Sequence, residues 1–147
     1  MAYADQSDIA DLYGPHALVV ADRDGDGVAD SAAVTRALSA AGDEIDTYLA
    51  VRYALPLATV PGILRQFAVD IALYRLALGA DVLSEEHRRR YEDALGALKR
   101  IAKGEAALVL PADPNADPDS PTADQGPRPI VTGGPDRIFS RDQMKGL

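Results

Sequence analysis

Seven of the chain's ten prolines lie beyond Glu105, and that uneven distribution constrains what the chain can fold into. Proline removes a backbone donor and disrupts helix interiors, so a proline-dense stretch cannot supply regular helix or a central strand. Before Glu105 only Pro15, Pro56 and Pro61 interrupt the sequence. The intervening stretches are rich in alanine and leucine, both strong helix formers. The expected class is therefore all-α: a small four-helix body, one short N-terminal helix and three longer ones, with an extended Pro/Asp-rich C-terminal tail. The corresponding division is a helical domain over 1–104, a flexible Pro/Asp-rich linker over 105–127 and a docking tail over 128–147.

Local signals place the helices. The first is expected over Ser7 to Tyr13, with Ser7 as cap, Asp8 at its positive end and Gly14-Pro15 as its stop. Leu18-Val19-Val20 then leads into an acidic loop. The second is expected over 31–54, capped by Ser31 or Asp30. Val34, Leu38, Ala41, Ile45 and Leu49 recur at helical spacing, and Pro56 is the stop, because the residue before proline resists helical angles. Gly42 marks either a close helix crossing or a tolerated weak spot. The third runs from Pro61 to Leu78 with Gly79 behind it. It is apolar around most of its circumference, which marks a central helix. Its polar exceptions, Asp70 and Arg75, are expected to be paired or at an edge. The fourth begins after Ser84, carries Glu85 and Glu86 in its first turn, and ends at Gly104. Its stripe is Tyr91, Leu95, Leu98 and Ala102, with Ala94 and Ile101 beside it. The tyrosines at 48, 53, 74 and 91 fall on or beside these stripes and read as packing residues.

The bulk properties exclude several classes. A formal net charge of -8 disfavours nonspecific nucleic-acid binding. The absence of cysteine excludes disulfides and thiolate metal sites. No run of apolar residues approaches the roughly 20 needed to span a membrane, and no leader pattern opens the chain. A soluble protein acting or assembling in a cytoplasm is expected, with no membrane partner. His16 and His87 are the only histidines, and neither lies beside a nucleophile motif. There is no phosphate loop, no Gly-x-Ser-x-Gly and no zinc-binding HExxH pair, so catalysis is not expected.

Three stretches carry candidate function. In Asp-Arg-Asp-Gly-Asp-Gly-Val-Ala-Asp, the carboxylates of Asp22, Asp24, Asp26 and Asp30, with the Val28 carbonyl, match the early ligand positions of a calcium-binding EF-hand loop. Gly27 permits the bend, but Ala33 stands where a bidentate Glu should close the cage. Asp43 and Glu44 lie too far along the next helix to replace it, roughly 15 Å. Two readings stay open: a weak Ca2+ site, with affinity about 10⁻⁴–10⁻³ M, or a turn that caps the second helix. No cofactor is required by either. The basic run His87-Arg88-Arg89-Arg90 reads as a solvated face neutralised by Glu85, Glu86, Glu92 and Asp93. Its alternative is a contact surface, through Arg88 and Arg89, for an acidic partner such as another copy. Finally, Arg137, Ile138, Phe139, Arg141, Met144 and Leu147 form an apolar-basic end beyond the polar tether, the sequence form of a docking peptide.

Several segments together resemble one family: the opening Met-Ala-Tyr-Ala-Asp, the acidic loop, and Glu-Ile-Asp-Thr-Tyr-Leu-Ala-Val-Arg-Tyr-Ala-Leu-Pro-Leu over 44–57. So do Asp-Ile-Ala-Leu-Tyr-Arg-Leu over 70–76, Arg-Tyr-Glu-Asp-Ala-Leu over 90–95 and Arg-Ile-Phe-Ser-Arg-Asp over 137–142. In this order they resemble the Mu-like bacteriophage head–tail joining proteins, which are similar to the small helical neck adaptors of long-tailed phages. The resemblance implies a non-enzymatic virion protein, assembled in the bacterial host cytoplasm and located in the neck. It implies a homo-oligomeric ring, commonly a dodecamer, that contacts the portal protein and a tail-completion or neighbouring neck protein. DNA would pass nearby without specific binding.

Overall fold

The computed structural model describes residues 2–23 and 25–110. All regular structure among them is helical: α1 (Gln6–Tyr13), a 3₁₀ segment (Pro15–Ala21), α2 (Ser31–Leu49), α3 (Gly62–Gly79) and α4 (Glu85–Lys103). The expected all-α class is the one the chain adopts. The 3₁₀ segment was not anticipated. It follows Gly14, whose φ of 80° lets the chain reverse out of α1, and begins on Pro15.

The helix ends follow hydrogen-bonding arithmetic. The first backbone N–H groups of a helix lack internal partners. In α1 the cap is Asp5, not Ser7. The Asp5 carboxylate accepts from the N–H groups of Ser7 (2.8 Å) and Asp8 (3.1 Å), and Asp8 reaches back to the Asp5 N–H at 2.8 Å. That reciprocal box satisfies more donors than a serine two residues later could. Asp30 caps α2 by accepting from Ala32 and Ala33, which decides between Asp30 and Ser31. Pro61 precedes α3 as its cap residue, Gly79 is its last residue, and the left-handed turn falls on Asp81 (φ 56°). Helix α4 matches expectation: Ser84 caps it and Gly104 (φ 83°) ends it.

Helix α2 stops at Leu49, five residues short of the expected 54. The N–H groups of Arg52 and Tyr53 both close onto the Leu49 carbonyl, each at 2.9 Å. This turn brings the Tyr53 ring into the core, where its hydroxyl oxygen accepts the buried Leu108 N–H at 2.8 Å. Pro56 restricts only the residue before it. The earlier stop is a tertiary effect, because continuing the helix would deny Leu108 its partner.

Helix α3 is central. It packs against α1, the 3₁₀ segment, α2 and α4. Leu64, Val69, Ile71 and Ala72 are fully buried, and ten of its residues fall below the surface. Burying one such branched side chain contributes roughly 1.5–3 kcal/mol, so this helix carries a large share of the fold's stability. Helix α2 offers it a small-residue face in which Ala33, Ala37, Ala41 and Gly42 alternate with Val34, Leu38 and Ile45. Helix α4 is more amphipathic and inserts Ala94, Leu98 and Ile101. Burial continues past α4, since Leu108 is 5% exposed and joins the same core.

A Cβ on Gly104 would meet the Arg52 guanidinium at 2.5 Å. Gly104→Ala is expected to lose about 1–2 kcal/mol for the left-handed backbone, with a further loss from displacing Arg52. Adding Arg52→Ala should restore the second part only. Urea unfolding of the two variants measures this, and a Gly104→Ala protein as stable as the parent would contradict it.

Candidate functional site

The acidic loop is organised by its own aspartates. One Asp22 oxygen accepts the Gly25 N–H at 2.8 Å and the other accepts the Gly27 N–H at 3.0 Å. Gly25 (φ 76°) and Gly27 (φ 83°) both take the left-handed conformation that this wrapping needs. Asp26 accepts from Val28 N–H at 2.7 Å, a local Asx turn. The ends are tied where the Asp30 N–H donates to the Ala21 carbonyl at 3.0 Å. Asp24 lies outside the described residues. Among the described residues no group of three or more His, Cys, Asp or Glu side chains is arranged to hold a metal ion. Ala33 is buried on the core side of α2.

The basic run on α4 is largely neutralised within the helix. Arg88 pairs with Glu85 at 2.7 Å and lies 3.9 Å from Glu92. Arg90 pairs with Glu86 at 2.9 Å, and its guanidinium stacks 4.3 Å from the Tyr13 ring centroid. Arg89 is exposed. Arg88 is thus engaged by acidic neighbours on its own helix. His87 Nδ1 lies 2.9 Å from Ser84 Oγ, but that hydroxyl is the α4 cap and accepts the His87 N–H. The pair is a helix-start device, with His87 held below its usual pKa by burial. His16 is exposed.

Tyrosine–carboxylate contacts that the sequence did not reveal tie the elements together. Tyr13 on α1 donates to Asp70 on α3 at 2.5 Å. Tyr91 on α4 donates at 3.1 Å to Glu44 on α2, which also receives Arg75 of α3 at 2.7 Å. Tyr91 stacks on Tyr74 with centroids 4.2 Å apart and planes 6° from parallel. Tyr3 donates to Asp46, and burial raises the Tyr3 hydroxyl well above its ordinary range. The expectation that Asp70 and Arg75 are paired is met. Their partners could not be read from sequence, because side-chain reach across 57 or 31 residues has no periodic signature.

Two surface grooves meet at Gln6. One, about 460 Å³, is lined by Ala2, Ala4, Asp5, Thr35 and Leu38 among others. The second, about 380 Å³, is lined by Pro15, Leu18, Val19, Asp22, Val28 and their neighbours. Val19 is 66% and Val28 67% exposed. Neither Ser84 nor His87 borders them. Of the sequence-predicted residues, the structure brings Asp22 and Val28 to one groove, leaves Asp30 as a cap, and places Arg88 and Arg89 on the outer face of α4. Arg137, Ile138, Phe139, Arg141, Met144 and Leu147 lie outside the described residues.

No helix among the described residues is long and apolar enough to cross a membrane. The family model described as Bacteriophage Mu, Gp36 matches residues 3–125, a span that takes in every helix above. The chain belongs to the bacteriophage Mu Gp36 family. Among its Gp36-family relatives, the Mu-like prophage FluMu protein gp36 of Haemophilus influenzae is 39% identical over 118 residues, covering 80% of this chain and 77% of that protein. Gene product J of Escherichia phage Mu is 28% identical over 145 residues, covering 97% of each. That second alignment leaves no large unmatched segment at either end, so the proline-rich and terminal stretches of this Gp36-family chain have counterparts there.

The Asp70 carboxyl is raised from its ordinary 3.8, first by burial, with Tyr13 and Arg90 opposing the shift. The folded chain therefore holds this proton more tightly than the unfolded chain. The burial penalty is fully present above the folded pKa and disappears as pH falls through it towards 3.8. The melting temperature of Asp70→Asn minus that of the parent should accordingly increase from acidic to neutral pH. A difference that does not change with pH, measured by thermal melts, would show that burial does not govern this carboxyl.

Proposed function

We propose that this protein is a structural component of a phage particle, a connector that forms a ring between portal and tail. Family membership supports the phage setting. The observation that carries the finer reading is where the body leaves large apolar side chains exposed. Among the described residues these are Leu12, Val19, Val28, Val51, Ile63, Leu78, Val82, Leu83 and Val109. All but Leu12 gather at two places. Leu78, Val82 and Leu83 sit at the α3–α4 turn, beside the acidic loop whose Arg23 reaches Gly79 and whose flanks carry Val19 and Val28. Val51, Ile63 and Val109 sit at the opposite end, where Arg52 meets Gly104 and Tyr53 meets Leu108. The 19 residues of α4 separate the two ends by about 28 Å.

Exposed apolar patches on a polar body mark contact surfaces. A body with one patch at each end suits a subunit sandwiched between partners above and below, the portal on one side and a tail-completion or neighbouring neck protein on the other. Its charged flanks, including the Arg88–Glu85 and Arg90–Glu86 pairs, suit side-by-side contact between copies, and heterologous side contacts close into rings. Charge of the same sign as DNA would let the nucleic acid pass without adhering. The 128–147 segment supplies reach, docking on a neighbouring subunit or on the portal. In this reading the acidic loop is a turn and cap that needs no cation. The virion neck is the location that follows.

Deleting residues 128–147 is expected to leave the body folded, with an unchanged far-ultraviolet circular dichroism spectrum, and to abolish tail attachment in a complementation assay. Normal attachment by the truncated protein would refute the docking role. Millimolar calcium should leave the melting temperature of the metal-free protein unchanged, and a rise with saturable heat in calorimetry would instead establish the loop as a cation site.

A further inference from the structure

We propose that the paired grooves around Gln6 are the receptor for the chain's own C-terminal segment, residues 137–147, supplied by the same copy or by a neighbour. This deepens the docking reading above and rests on it. Apolar side chains line both halves, Ala2, Ala4 and Leu38 beside the polar Gln6, Thr35 and Ser39 in one, and Leu18, Val19 and Val28 in the other. A carboxylate stands in each half, Asp5 in the first and Asp22 in the second. The Asp5 carboxyl is held below its usual pKa, chiefly by the Ser7 hydroxyl that donates to it, so it is negative at neutral pH.

The segment has the complementary pattern. Arg-Ile-Phe-Ser-Arg places two apolar side chains between cations at 137 and 141, and Met144, Lys145 and Leu147 repeat the combination. In an otherwise acidic chain of net charge -8, this concentration of cations beside large apolar side chains matches an apolar track with acidic margins. Reach is sufficient. Between Leu110 and Arg137 lie the 26 residues 111–136. Fully extended they span at most roughly 90 Å. That exceeds the ~28 Å from the end of the body where Leu108 packs to the end that carries the α3–α4 turn and the acidic loop.

The absence of cysteine makes a clean test. Val28→Cys and Phe139→Cys would be introduced into the full-length chain, in one copy and, separately, in two copies that are mixed. Val51→Cys is the control: Val51 is also 67% exposed but lies at the end of the body where the chain leaves it. Under mild oxidation the 28–139 disulfide is expected to form faster than the 51–139 one. Links within a chain and between chains both count as occupancy. Arg137→Ala/Arg141→Ala should slow the 28–139 link roughly five-fold at low salt, the effect of losing two surface charge contacts. Equal or faster linking at 51, or no link at 28, would overturn the assignment. If deletion of 128–147 abolishes tail attachment while the thiol introduced by Phe139→Cys links elsewhere, docking stands and only this receptor is wrong. If the deletion has no effect on attachment, docking itself falls.

Discussion

Everything in this body depends on burying α3. A helix apolar around nearly its whole circumference cannot be stable against water on any side, so it requires partners on all of them. Helix α2 covers it with a small-residue face, α4 with a narrow stripe, and α1 with the 3₁₀ segment covers what remains. The order of these elements along the chain matters less than the fact that each has the same central partner. A change that weakens α3 therefore loosens the entire body.

Burial alone does not fix how the surrounding helices sit, because apolar contact is non-directional. The directional element is a set of long-range contacts, most of them from tyrosine hydroxyls to carboxylates. Tyr13 to Asp70 orients α1 on α3. Tyr91 and Arg75 converge on Glu44 and tie three helices together, and Tyr53 holds the chain after α4. No buried polar side-chain atom among the described residues lacks a partner. The body is thereby specified as one arrangement.

The same economy shapes the surface. Among the described residues the exposed large apolar side chains other than Leu12 gather at the two ends, one of them beside the acidic loop. The loop resembles a calcium site in spelling, yet its described aspartates accept backbone N–H groups, hold a turn and cap α2. The alternating pattern serves a tight turn as well as a cation because both need convergent oxygens. The sequence pattern alone therefore does not separate the two.

The amino-acid sequence by itself determined the helical class, the central role of α3 and both ends of α4. These follow from spacing, propensity and proline placement, all local properties. It also marked Asp70 and Arg75 as needing partners, because a polar group on an apolar helix is costly unless bonded. Only the tertiary structure decided who those partners are, why α2 stops at Leu49, and that Val19, Val28, Asp5 and Asp22 border adjoining grooves. Each of these depends on side chains brought together from distant parts of the chain. Such meetings leave no periodicity, and they come into existence only once the core has closed.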